Sequence, residues 1–210
     1  MMAAATRAHG ILSRVIESAA KVGNAKAAIP PTKTMERAAE KVAKDYGGDW
    51  TRITDIARGS VVATSVPDLT TAYDTFQSQV DIKKIKNRFK DTKEDGYRDL
   101  SVVVQVPGTE ILGEVQFHVE QIQNVKMGEG HDIYEQIQAI ERKTGRTSDD
   151  EERLKELKAK SRSLYDEAYA SALSGSKSTA SKTATKGHGA PASSPASEAP
   201  SSPPDEQVAA

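Results

Sequence analysis

The chain has no cysteine, which excludes disulfides and thiolate zinc sites and suits a reducing compartment. Aromatic residues are scarce at 5%, and all of them fall between Tyr46 and Tyr169. Net charge is nearly absent: 29 Lys and Arg stand against 30 Asp and Glu, so bulk electrostatics favour neither a nucleic-acid nor a membrane partner. No apolar run approaches the ~18 residues of a membrane span, and the N-terminus has no signal-peptide core. Residues 1–16 lack acids and carry Arg7 and Arg14, a pattern shared by transit peptides and by ordinary basic helices. No internal repeat appears. A length of 210 residues suits one domain with appendages.

What is present is clear alternation between helical and strand periodicity. Ala3 to Val22 repeats Ile11, Leu12, Val15, Ile16 and Ala19 at helical spacing, and Gly23-Asn24 closes that helix. Thr32 is placed to cap a second helix, with Met35, Ala38, Ala39 and Val42 on one face and Gly47-Gly48 at its end. Ser60 to Thr64 reads as a short buried strand. Pro67-Asp68 opens a helix with Leu69, Ala72, Tyr73 and Phe76 inward. Val80 to Phe89 alternates as a less buried strand, with Lys84, Lys86 and Arg88 on one side. Helices follow over Gln121 to Lys126 and from His131 to Gly145, the second with Ile133, Tyr134, Ile137 and Ile140 inward. Ser148-Asp-Asp-Glu151 matches a capping box for a last helix. From Ser174 onward nine serines and five prolines appear with no aromatic residue, so this tail is expected to be disordered. The order of elements predicts an α+β fold.

The segment Lys93 to His118 holds the chemistry. Leu100 to Val106 is a β-branched strand, Pro107-Gly108 marks a tight turn, and Ile111 to Val119 returns. On the return strand Glu114, Gln116 and His118 share one face, while Val115, Phe117 and Val119 share the other. Lining a sheet face with Glu, Gln and His is unfavourable unless that face is a site.

Two motifs here, G-Y-R-D-L at Gly96 to Leu100 and E-V-Q-F-H at Glu114 to His118, resemble the synthetase domain of the RelA/SpoT family of alarmone synthetases. A third, I-T-D-I-A-R-G-S at Ile53 to Ser60, resembles the family's segment that carries a magnesium-binding Asp. The resemblance spans about residues 30–140. It implies a nucleotidyltransferase-like mixed sheet of about four strands flanked by helices. It divides the chain into an N-terminal helix (1–29), the synthetase-like domain (30–145), a C-terminal helix (146–173) and the tail (174–210).

The resemblance also implies roles. Asp55 and Glu114 would hold Mg2+, with Glu114 also a candidate base. Tyr97 would stack on the acceptor base. Lys33, Lys41 or Lys44, and Arg58 would meet donor phosphates, and Lys86 and Lys93 would meet phosphates near either substrate. Gln116 and His118 would line the nucleotide site, and His131 and Tyr134 match an H-x-x-Y segment for which packing or a hinge is the expected role. Pro31 and Ser60 stand where the family usually has Arg, Asp99 and Ser101 where it has Ser and His, and Asp95 where it has Asn. The implied activity is transfer of pyrophosphate from ATP to the 3′-hydroxyl of GDP or GTP, in the cytoplasm. The alternatives are a toxin-like transferase acting on adenosine nucleotides or the tRNA 3′ end, here or as a secreted effector, and a non-catalytic nucleotide-binding module.

Overall fold

A computed structural model describes residues 2–32, 34–50 and 53–183. Their order is α1 (Met2–Val22), β1 (Ala25–Ala28), α2 (Met35–Tyr46), β2 (Ala57–Ala63), α3 (Val66–Gln77), β3 (Asp81–Asn87), β4 (Leu100–Gln105), β5 (Leu112–Val119), α4 (Glu120–Met127), α5 (Glu129–Glu141) and α6 (Ser148–Thr183). The sheet runs β1-β2-β5-β4-β3, with β2 and β5 parallel and the other pairs antiparallel. The fold is α+β with a mixed sheet, as expected, but it has five strands where about four were expected. The extra strand β1, Ala-Lys-Ala-Ala, has no β-branched or aromatic residue, so nothing local marks it; antiparallel pairing with β2 makes it a strand.

One sheet face is apolar. Val115, Phe117 and Val119 of β5, Val61 of β2 and Val102 and Val104 of β4 are all fully buried. They pack with Leu12 and Ile16 of α1 and Phe76 of α3 in the main core. Phe117 sits at its centre, edge-on to Tyr73 and Phe76 with ring centroids 5.5 and 5.3 Å away. Truncating it to Ala would cost about 3–5 kcal/mol. Helix α1 lies unusually close to the strands because Gly113 has no side chain: a β-carbon there would come within 2.6 Å of the Leu12 side chain. A smaller core of Ile133, Ile137, Ile140, Leu154 and Leu157 joins α5 to α6.

Several local expectations shift. The helix α2 is capped by Thr34, whose hydroxyl accepts from the Arg37 amide, and not by Thr32. Strand β2 begins at Ala57, earlier than Ser60, because parallel pairing with β5 extends it. The capping box of α6 is Thr147 and Asp150, each accepting from the other's backbone amide, one residue before the expected Ser148 and Glu151. Tyr134 is 47% exposed and not inward. Helix α6 continues past Ser174 to Thr183; the rest of the tail, 184–210, lies outside the described residues, as does Lys33.

Candidate active site

The opposite sheet face is polar, and strand register assembles it in rows. Arg58 of β2 is the partner of Glu114, which is the partner of Val103, which is the partner of Lys84. The next row is Ser60, Gln116, Ser101 and Lys86. A bulge between Ile82 and Lys84 sets the register that brings both lysines to this face. Residues that are far apart in sequence thus share one surface because the side-chain period of every strand is two.

Asp55 lies just before β2 and is nearly buried, at 9% exposure. Packing of Ala38 and Val42 on Ile53 fixes α2 over this loop. It places the Lys41 ammonium 2.9 Å from Asp55 Oδ2. Burial acts to lower the Lys41 pKa, but the hydrogen bond and the charge of Asp55 outweigh it and raise the pKa. Glu114 accepts a 2.9 Å hydrogen bond from the Ser101 hydroxyl. Asp55, Arg58, Ser60, Glu114 and Gln116 line one cavity of about 270 Å³. The two carboxylates proposed for the metal, and one of the proposed phosphate cations, therefore open onto a common space. Among the described residues no cluster of three or more His, Cys, Asp or Glu stands ready for a metal ion. Two carboxylates facing a cavity fit Mg2+, which is usually held by one or two carboxylates together with substrate phosphates and water.

A second cavity, of about 320 Å³, surrounds Tyr97 and meets the first at Gln116. The Tyr97 loop is fixed locally: Asp95 Oδ1 accepts from the Tyr97 amide at 3.0 Å. The Tyr97 hydroxyl donates to Asp99 Oδ2 at 3.0 Å, and Arg88 donates to Asp99 Oδ1. Burial, then the neighbouring Asp99 charge, raises the Tyr97 pKa far above its ordinary value, so the phenol stays a donor. Cationic groups of Lys93, Lys126 and Arg88 stand 5.5, 5.8 and 5.9 Å from the ring centroid. Lys93 is exposed, so its ammonium reaches over the ring from the solvent side.

His118 lies beneath this cavity and is fully buried. Lys126 Nζ donates to Gln116 Oε1 at 2.9 Å and stands 3.4 Å from His118 Nε2. Nε2 also lies 3.4 Å from Gln116 Oε1, so it faces one donor and one acceptor, while Nδ1 is buried with no partner among the described residues. Burial, then the charges of Lys126 and Arg88, push the His118 pKa down to about 3. Burial likewise lowers that of Lys126.

The structure therefore brings Asp55, Glu114, Arg58 and Gln116 together, sets Lys41 on Asp55, and groups Tyr97 with Lys93. Lys86 lines a flanking hollow with Ser101 and Glu114. Lys44 is exposed in the last turn of α2 and lines neither cavity. His131 and Tyr134 are exposed and border the Tyr97 cavity, so neither is packed inside the fold. Sequence reasoning did not find Lys126, Arg88, Ser161 or Tyr165. Arg88 was legible as the third member of the basic side of β3. The other three lie on helices with no motif to mark them.

No family model and no curated protein matches the sequence. Solved structures do. The type VI effector Tas1, solved with its immunity protein, matches with a TM-score of 0.59 at 20% identity over 78% of this chain and 95% of that one. A GTP pyrophosphokinase family protein from Streptococcus pneumoniae matches with a TM-score of 0.58 at 19% identity, over 85% and 94% of the two chains. Small alarmone synthetase 1 from Bacillus subtilis, bound to its product pppGpp, matches with a TM-score of 0.57 at 16% identity, over 73% and 77%. At these identities the likeness is one of fold, and the fold is the RelA/SpoT synthetase-like fold.

Proposed function

We propose that this chain, having the RelA/SpoT synthetase-like fold, is a magnesium-dependent pyrophosphokinase that moves the β,γ-pyrophosphate of ATP to a nucleotide 3′-hydroxyl. One observation carries the reading: Asp55 and Glu114, from separate elements, line one cavity with Arg58, and that cavity adjoins the Tyr97 cavity at Gln116. A donor triphosphate belongs beside the carboxylates and Arg58, with Lys41 close by. An acceptor base belongs against Tyr97, which leaves its ribose directed toward Glu114. Guanosine nucleotides are the first acceptors to assay and adenosine nucleotides the second. A walled pocket of about 320 Å³ suits a mononucleotide better than a tRNA end.

In the reaction the 3′-oxygen attacks the β-phosphorus of ATP. A new O–P bond forms there, the bond from the bridging oxygen to the β-phosphorus breaks, and AMP leaves with that oxygen. Glu114 takes the hydroxyl proton, and the Ser101 hydrogen bond holds its carboxylate in place. Arg58 and Lys41 neutralise charge on the transferred group. Mg2+ held by Asp55 and Glu114 would supply charge stabilisation at the phosphates. Ser60 beside Arg58 accounts for the missing family Arg: the cation is present in the same cavity from a neighbouring position.

The test is Asp55→Asn. Pyrophosphate transfer from ATP to GDP, GTP, ADP or ATP should fall about 100-fold or more in magnesium, since several kcal/mol of transition-state stabilisation is lost. Cooperative unfolding should persist. A variant as active as the wild type in magnesium would refute the assignment.

A further inference from the structure

Helix α6 forms one wall of the Tyr97 cavity, although it lies outside every motif that implied the site. Ser161 and Tyr165 are one helical turn apart on it and both line the cavity. They are 3% and 5% exposed. Neither hydroxyl has a protein partner among the described residues, and neither is sealed from the cavity. Buried hydroxyls normally find partners, so two that face a cavity with none from the protein are available to a ligand. Gly130 of α5 keeps the Tyr165 hydroxyl uncovered; a β-carbon at that position would come within 3.0 Å of it.

We infer that Ser161 and Tyr165 read the edge of the acceptor base, so that α6 completes the acceptor site. This rests on the proposed stacking at Tyr97. The Tyr165 ring stands at 80° to the Tyr97 ring, with centroids 5.6 Å apart. A base lying flat on Tyr97 would therefore be nearly perpendicular to the Tyr165 ring, inside the cavity that both residues line. Hydroxyls both donate and accept, which matches a nucleobase edge that carries N–H groups and ring nitrogens or a carbonyl. Phosphates have cations available instead, in Arg88, Lys93 and Lys126. The Asp95 carboxylate, close to Tyr165, adds an acceptor for base N–H groups.

The experiment uses the full chain, with GDP, ADP and tripolyphosphate titrated calorimetrically into wild type, Tyr165→Phe, Ser161→Ala and Tyr97→Ala. Each hydroxyl deletion should weaken the better-bound nucleotide by about 3–10-fold. Tripolyphosphate binding should stay the same. The free protein should melt at the same temperature or higher, because the removed hydroxyl has no protein hydrogen bond to lose; a hydroxyl with a structural role would show the reverse pattern. If nucleotide affinity stays within twofold of wild type in both hydroxyl variants while Tyr97→Ala abolishes it, α6 is only a wall and the inference fails alone. If tripolyphosphate weakens in parallel with the nucleotides, the hydroxyls hold phosphate and the base-edge assignment is overturned. If wild type binds neither nucleotide, the stacking reading and this inference fall together.

Discussion

At the scale of single residues, burial shifts the titration of the groups around Tyr97. His118 is buried neutral with its pKa pushed down to about 3, against an ordinary value near 6.5. The unfolded chain therefore binds a proton that the folded chain refuses in the window between those values. The stability conferred by a neutral His118 is fully present above pH ~6.5 and is lost as pH falls toward 3. Each pH unit in that window costs about 1.4 kcal/mol. His118→Gln, which keeps a polar side chain beside Lys126, should flatten the decline in urea midpoint between pH 6.5 and 5, where most carboxylates remain ionised. An unchanged slope would mean that the imidazole is not the group responsible. The same cluster explains what the sequence left unread. Asp99 looks like a loss in the G-Y-R-D-L motif, yet in the fold it anchors the Tyr97 hydroxyl and Arg88. Ser101, in place of His, becomes the donor to Glu114. A substitution within a motif shows which family group is missing, but its new partner comes from another strand and is visible only in three dimensions.

At the scale of elements, α6 acts as a brace for the loop that carries Tyr97. Lys158 pairs with Glu94 at 3.0 Å, and Arg98 pairs with Asp166 across the same contact. Exposed pairs of this kind are worth little individually. The close approach is set by Gly96, which has φ of +80° and where a β-carbon would lie 2.6 Å from the Arg162 Cα. Gly96→Ala would combine backbone strain with a clash against the α6 backbone. The expected outcome is a loss of about 2 kcal/mol in denaturant unfolding, together with weaker acceptor binding. A variant of wild-type stability would show that the loop and α6 separate easily. Strong periodicity made α1, α3 and the β4–β5 hairpin legible, because their apolar faces are set by their own residues. Strand β1 and the first residues of β2, Ala57 to Gly59, were not legible, since pairing with a neighbour defines them. Capping positions slipped by one or two residues where several Thr, Ser and Asp side chains compete near a helix start.

At the scale of the whole molecule, one sheet separates the two jobs of the protein. Its apolar face binds α1 and α3 into the core, and its polar face carries two adjoining cavities. The core face was legible because alternation in β5 reports burial directly. That Asp55 and Glu114 line one cavity was legible only through motif resemblance, since it depends on parallel pairing of β2 with β5 across a long crossover. The two-cavity layout makes a prediction about substrate independence. Tyr97 lines only the cavity that holds α6, whereas Arg58 and Asp55 line only the other. Stacking of an aromatic ring on a base is worth ~1–3 kcal/mol, so Tyr97→Ala should weaken acceptor binding by about 10–100-fold. Binding of a non-hydrolysable ATP analogue, titrated separately, should change by less than about threefold, because no donor contact is removed. The ring also packs against Tyr165 and holds Asp99, so part of the loss would come from a looser pocket. Tyr97→Phe keeps the ring and removes only the hydroxyl, and it should retain most of the acceptor affinity. If the ATP analogue weakens while the acceptor does not, the donor and acceptor cavities are exchanged. If the Phe variant loses as much affinity as the Ala variant, the hydroxyl bond to Asp99 matters more than stacking.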